Sequence, residues 1–575
     1  MLKRKFTLAA LCAGLLLAAG AFGGQDIFEA VNSGDLAKVK AIIDADPQAL
    51  EARNNYRQTP LILAIQKTKL EVAEFLLARG ADVNAKETSG ATPLSYAITG
   101  GFTGLAKTLV ERKADIDAPA MWGMSPLPFA LEFGRKDIAE MLADKGAAIP
   151  IEPGQDSYRL FFSACSNGSV KLVDRMLEKG FKIGDNQYSR GLPLLAAGGG
   201  SAAIVEKLIG LGFDMDRKNE LGWAPLHAAA EKGHAQVAAI LLSHGAAIDG
   251  RTLSGKSAYD IAASLGKTEV AALLKEKGAD VSGQKFPPLK GPYLGQPEPE
   301  DKPRMFALDI VSTRHMIHGN VVFTPDGREA YWSGTYPASG SSDTEYQILM
   351  MEQADGTWGA PRLAPFCQIE YQDDCPYITP DGKRIYFLSR RPLAPGGPRA
   401  DRENLWAAER KGGSWGDPVY QGDAVNSLSL HWQVSTDLEG NLYFGGQDPE
   451  GKTMGDIFVS RPVNGRFLKV EKLDPDVSSA DHEHSPTIAP DGSYIIFSRA
   501  SQQRVQLGLF ISFRAKDGRW GDAICLNEVI GCPTASQCTA ITPDGKYIFY
   551  ISWGFDEWAA FWVKSDFIEK LRPKG

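Results

Sequence analysis

The chain has 575 residues, a length that at about 100–200 residues per domain excludes a single compact core. Hydrophobic residues make up 43% and charged residues 23%, which excludes wholesale disorder, while 60 Gly and 34 Pro call for many turns. The formal net charge of −8 supplies no basic footprint to neutralise phosphates, which argues against a nucleic-acid partner.

The first residues follow the order of a secretory signal: Met1-Leu2-Lys3-Arg4-Lys5, an apolar run from Phe6 to Ala19, then small residues to Gly24. The run is too short to span a bilayer comfortably, and no later stretch reaches about eighteen apolar residues, so no membrane span is expected in the mature chain. Residues 1–23 are therefore read as a signal peptide, with cleavage after Ala21 or Gly23, and the destination as the periplasm or exterior of a bacterium. In such an oxidising compartment the sequence-near pairs Cys367/Cys375 and Cys532/Cys538 are candidate disulfides. The alternative is buried free thiols, and sequence does not fix the connectivity.

Beyond the leader a period appears. Thr59-Pro60-Leu61, Thr92-Pro93-Leu94 and Ser125-Pro126-Leu127 recur every 33 residues, and Leu192-Pro193-Leu194 and Ala224-Pro225-Leu226-His227 continue the series. Extending it gives eight units, from Asp26 to about Val281, the fifth of them degenerate at Tyr158-Arg159-Leu160. Thr or Ser caps a helix, Pro fills the first helical position where its missing N–H costs nothing, and a glycine such as Gly80 or Gly245 ends the unit. These motifs resemble the ankyrin family, which implies an α-solenoid of helix pairs over residues 24–281 that binds other proteins through its turn tips. The tip residues Tyr56, Arg57, Met121, Trp122 and Trp223 are the partner-binding candidates, because Tyr, Trp and Arg anchor interfaces. His227 reads as a structural hydrogen-bonding residue, and Gly198-Gly199-Gly200 as a weak seam in the unit that begins at Leu192.

Residues 282–304 gather six prolines and read as a stiff linker. From 305 to 575 a second period runs through Thr324-Pro325-Asp326-Gly327, Thr379-Pro380-Asp381-Gly382, Asp437-Leu438-Glu439-Gly440, Ala489-Pro490-Asp491-Gly492 and Thr542-Pro543-Asp544-Gly545. The glycines are spaced by 55, 58, 52 and 53 residues, and each turn joins two strands. Five units supply three strands and four supply a fourth. A strand between Met305 and Val311 completes the last sheet and closes a ring, which is how a β-propeller removes its edges. The hairpins resemble TolB-like propeller blades, although that family commonly has six where counting here favours five. The expected architecture is multidomain: an α-solenoid, then an all-β propeller.

Two motifs are decoys. The segment from Gly446 to Thr453 fits a phosphate-binding loop letter by letter, but a strand follows it where a helix is needed, and Pro449 lacks an N–H. Gly412-Gly413-Ser414-Trp415-Gly416 fits a nucleophile elbow, but neighbouring units carry Thr357 and Arg519 at the serine position. Five residues before most of the hairpin motifs stand Gly319, Asp374, His431, His484 and Gln537, expected at one mouth of a central channel, with His318, Asp373, Asp481, His482 and Glu483 close in sequence. Asp374, His431, His484 and Gln537 are the ligand-binding candidates, and the first three are weak metal candidates. No cofactor and no catalytic residue is assigned. The favoured function is a non-enzymatic interaction or scaffold protein with a partner in the cell envelope. The alternatives are a hydrolase or lyase acting on carbohydrate or peptide, or a sensor of metal or small ligand, at the channel mouth.

Overall fold

In a computed structural model of the protein the described residues are 24–119, 123–152, 154–184, 189–300, 302–313, 317–335, 346–394, 396–447, 455–479, 481–500, 507–532, 536–554 and 557–573. The proposed leader, residues 1–23, therefore lies outside them. The chain divides into two compact units, one of residues 1–219, 223–250 and 261–281, the other of 220–222, 251–260 and 282–575.

Eight helix pairs appear among the described residues. They are Gly24–Ser33 with Leu36–Ala45, Pro60–Gln66 with Leu70–Ala78, Pro93–Gly100 with Thr103–Glu111, Pro126–Glu132 with Lys136–Asp144, Gln155–Ser166 with Val170–Glu178, Leu192–Gly199 with Ala202–Gly210, Pro225–Lys232 with Ala235–Ser243, and Ala258–Ser264 with Thr268–Glu276. The caps are those the motif requires: Thr59 Oγ1 accepts the Ile62 N–H, and Thr92 and Ser95 form a reciprocal capping box. First helices pack on first helices of the next pair, burying Leu61, Ile65, Leu94, Ile98, Leu127 and Ala130 completely or nearly so. The loops are stitched one repeat on. Glu51 accepts the N–H of Asp82, Asn84 that of Asp115, Asp117 that of Ala148, Asp216 that of Ala247 and Asp249 that of Asp280, at 2.7–3.1 Å.

The Gly198-Gly199-Gly200 run, expected to be a weak seam, lies at the end of the first helix of the sixth pair, where the packing is close. A Cβ at Gly199 would lie 2.6 Å from Cys165 O and 2.7 Å from Ser166 O, so the glycine admits a close approach of two helices. Gly200, at φ 76°, is the left-handed C-cap.

The second unit contains five sheets of four or five strands in a five-blade propeller arrangement, with a small two-stranded sheet, Pro462–Val463 with Arg466–Phe467, besides. Their innermost strands are Val322–Phe323, Asp373–Ile378, Ser429–Thr436, His482–Ile488 and Ser536–Ile541, each antiparallel to the strand beyond its hairpin. In the fifth sheet the outermost strand comes from the other end of the unit: Arg304 pairs with Trp562 and Met305 with Phe561. The ring is closed as expected, but the closing strand is shorter than the stretch from Met305 to Val311, because the chain turns where Ile310 and Val311 N–H bond back to Ala307 O. Apolar cores lie between successive sheets. The largest joins the first, second and fifth, with Phe306, Trp332, Trp358 and Trp562 essentially buried.

The segment expected to be a stiff Pro-rich linker is part of this unit. Leu294 is fully buried, Tyr293 stacks edge-on against Phe323 and Tyr547, and Gly291 O accepts the Trp358 indole N–H at 2.7 Å. Its prolines hold an extended strap against the blades.

Candidate functional site

Four of the five innermost strands break register near their start, between Asp374 and Tyr377, His431 and Val434, His484 and Thr487, and Gln537 and Thr539. The first residue inside the register break takes a left-handed conformation in three of them, Cys375 (φ 52°), Ser485 (φ 53°) and Cys538 (φ 48°), and Gly319 (φ 88°) does the same before the first strand. Such a bulge redirects side chains that alternation would send to opposite faces. Asp374 and Cys375, consecutive in sequence, consequently bring their ligand atoms to one place, joined there by His318 from the first blade. The imidazole nitrogen, carboxylate oxygen and sulfur all lie within 4.8 Å of one another.

This cluster is buried on the protein side and open on one. Asp374 is 0% exposed, and its carboxylate pairs with His318 Nδ1 while accepting the Cys375 N–H at 2.7 Å; the side chain of His318 is 19% exposed. The His318 ring stacks on Tyr346 at 4.7 Å. Burial disfavours the imidazolium, but the charge and hydrogen bond of Asp374 outweigh it and the His318 pKa is raised. Burial, then Asp374, pushes the neighbouring Glu403 carboxyl up, against the pull of His318, Arg390 and Arg399. Burial first and Asp374 second hold the Cys375 thiol well above its ordinary range, so it is protonated at neutral pH and is no activated nucleophile.

From Cys375 a polar path continues round the ring. Burial raises the pKa of Cys538 to about 12, and both Asp374 and Cys538 act on Cys375. Cys538 Sγ contacts Ser485 Oγ at 3.3 Å, Ser485 Oγ contacts His484 Nδ1 at 2.9 Å, and the His484 and His482 rings are 5.1 Å apart. Cys538, Ser485 and His484 thus form one run of contacts, on which Asp374 acts through its charge. Gln537 is half-buried beside Cys538, and the side chain of His431 lies outside the described residues.

Further buried polar side chains join the innermost strands. Gln433 Nε2 donates to Thr487 Oγ1 at 2.9 Å and also reaches Thr539 O, Thr539 Oγ1 donates to Thr487 Oγ1 at 2.8 Å, and Asn320 Nδ2 donates to Cys538 O. All four side chains are buried, so hydrogen bonds between polar side chains and backbone tie four blades together here. Asp373 and Glu483, adjacent in sequence to mouth residues, are instead buried partners of Arg391 and Arg499.

None of the six described cysteines is in a disulfide, which corrects the candidate pairs Cys367/Cys375 and Cys532/Cys538. Cys367 packs in the core that joins the first blade to the second, whereas the bulge turns Cys375 into the core shared by the second and third. Cys532 faces Ser536 and Ser552, while Cys538 faces Ser485.

In the helical unit Tyr56 is 51% exposed and Arg57 is exposed in a left-handed turn (φ 60°). The tip is fixed: Asn54 Oδ1 accepts the N–H groups of Tyr56 and Gln58, and Tyr56 O accepts both the N–H and hydroxyl of Thr88 on the next repeat. Met121 and Trp122 lie outside the described residues. Trp223 is only 7% exposed and packs on His227, so it is not an exposed anchor. His227 is buried with both nitrogens engaged, Nδ1 accepting the Ala224 N–H at 3.0 Å and Nε2 donating to Gly250 O at 2.9 Å, as expected of a structural histidine. A family model described as ankyrin repeats (3 copies) matches residues 27–120 and 194–285, so the helical region carries ankyrin repeats.

Proposed function

We propose that this is an exported protein-interaction protein of the cell envelope, whose ankyrin tips bind another protein and whose β unit is a propeller akin to the TolB-like family. Ankyrin repeats and a propeller both suggest protein–protein interaction. The observation that carries the reading is Tyr56, a half-exposed aromatic next to an exposed Arg57 on a loop clamped by the following repeat. A tip already held in place loses little entropy on binding, and Tyr and Arg are the side chains that anchor interfaces. The repeat stitching at residues 51, 84 and 117 extends the same order along the row of loops. The Pro-Asp-Gly hairpins support the TolB-like kinship, and the Lys/Arg-led apolar run at residues 1–19 supports export.

The test is in-cell crosslinking of the full chain beside a folded Tyr56→Ala/Arg57→Ala variant, with fractionation of the cells. The expected result is one envelope protein captured by the wild type and reduced about tenfold or more in the variant, a loss of hot-spot size. Equal capture by both chains overturns the assignment to this tip, and recovery of the protein from the cytoplasm overturns export.

A further inference from the structure

The cluster at the mouth of the propeller has the donors of a transition-metal site, and we propose that His318, Asp374 and Cys375 bind a zinc-type divalent ion. The three donors come from two blades and are assembled by the backbone. Cys375 takes its left-handed φ of 52° at the strand bulge, which places its sulfur beside the carboxylate of the preceding residue. Its N–H is held twice, by Asp374 Oδ1 at 2.7 Å and by Ser333 Oγ of the first blade at 2.8 Å. Gly319 makes room for this approach, since a Cβ there would lie 3.2 Å from Cys375 Cα, Cys375 Sγ and Ser333 Oγ. The site is thus positioned before any ion arrives.

Donor chemistry sets the class of ion. One imidazole nitrogen, one carboxylate oxygen and one sulfur form a mixed set that suits Zn²⁺ and its neighbours, whereas Mg²⁺ and Ca²⁺ take oxygen alone. Three protein donors leave a fourth tetrahedral position, and the partial exposure of His318 gives it a route to solvent. Glu403 adds a second, partly buried carboxyl, bonded at 3.1 Å to Gln372 Nε2. On loading, the ion replaces the His318–Asp374 contact, and the thiol proton of Cys375 passes to solvent as the metal–sulfur bond forms. The same bulge occurs at Ser485 and Cys538, but only at Cys375 does it meet a histidine and a carboxylate together among the described residues.

Co²⁺ titration of the reduced full chain tests this, because a cobalt–thiolate bond has its own charge-transfer absorption. The expected result is one equivalent bound with that absorption, absent from Cys375→Ser, kept by Cys538→Ser, and a Zn²⁺ affinity at least about tenfold weaker in His318→Gln. Circular dichroism identifies variants that fail to fold, and Asp374→Asn then substitutes as the donor deletion, with the same weakening expected. No charge-transfer absorption in the wild type overturns the proposal. So does absorption that survives in folded Cys375→Ser, which places the ion on other residues.

Discussion

Arg391 grips Asp373 with two hydrogen bonds, Nε to Oδ1 at 3.2 Å and Nη2 to Oδ2 at 2.6 Å, in a pocket where both side chains are almost wholly buried. The guanidinium also donates to Phe366 O at 2.6 Å and lies over the rings of Phe387 and Tyr371. Removing one member leaves a buried charge without its partner, which costs far more than losing a surface pair. Asp373→Ala and Arg391→Ala should each destabilise the β unit by about 3–5 kcal/mol, read as a lower urea midpoint at unchanged slope. Arg391→Lys should recover only part of this, since an ammonium cannot reproduce the paired geometry.

Ring closure depends on a few residues near Arg304. Phe306 is fully buried, its N–H bonds Ala560 O at 2.8 Å, and its ring meets Phe549, Trp562 and Phe323 at 4.7, 5.2 and 6.2 Å. Phe306→Ala should cost about 3–5 kcal/mol through lost burial and the cavity it leaves. Deleting residues up to Phe306 should also uncover the strand Glu557–Lys564 as an edge, raising hydrogen exchange there and promoting aggregation seen by light scattering.

How much of this was legible in sequence follows from which features are periodic. The repeats, their caps and the ring closure are, and the spacing of motifs such as Pro60 and Gly382 carries them. The mouth is not, because register breaks offset the count. Counting five residues back from the hairpin names Gly319, whereas the side chain that meets Asp374 belongs to His318. The same bulge brings in Cys375 and Ser485, residues that strand alternation would have sent elsewhere. The tip aromatics divide by position: Tyr56 stands three residues before Thr59, whereas Trp223 stands immediately before Ala224, where the matching Gln58 is also buried, and Trp223 packs there on His227.

The hairpin aspartates make stability depend on acid. Asp326, Asp381 and Asp544 each accept a threonine hydroxyl at 2.6–2.7 Å and the backbone N–H two residues on at 3.0–3.1 Å. Burial pushes each carboxyl up, but these bonds and nearby cations outweigh it, so all three pKa values fall below the ordinary 3.8. A lowered folded-state pKa stabilises the fold above 3.8, and that share is lost as pH drops through the folded value. Replacing all three by Asn should lower stability at pH 7 by about 1 kcal/mol or less per site, given their exposure. The gap between variant and wild type should close below pH 3.8 in urea titrations; a gap that persists there refutes the linkage.

Adjacent glycines in the helical unit should respond oppositely to alanine. At Gly199 a new Cβ would sit 2.6 Å from Cys165 O and 2.7 Å from Ser166 O, both backbone atoms of the preceding repeat, so the two helices must separate. Overpacking of this kind costs about 1–3 kcal/mol. At Gly198, inside the same helix, the nearest atom is Ala228 Cβ at 3.8 Å, an ordinary contact. There alanine adds helix propensity worth up to about 1 kcal/mol without a clash. Thermal melts of Gly198→Ala and Gly199→Ala in the full chain should therefore move the transition of the ankyrin region up and down respectively. If both variants melt lower, the helix does not tolerate a side chain on either face, and the glycine run is a packing surface across its width.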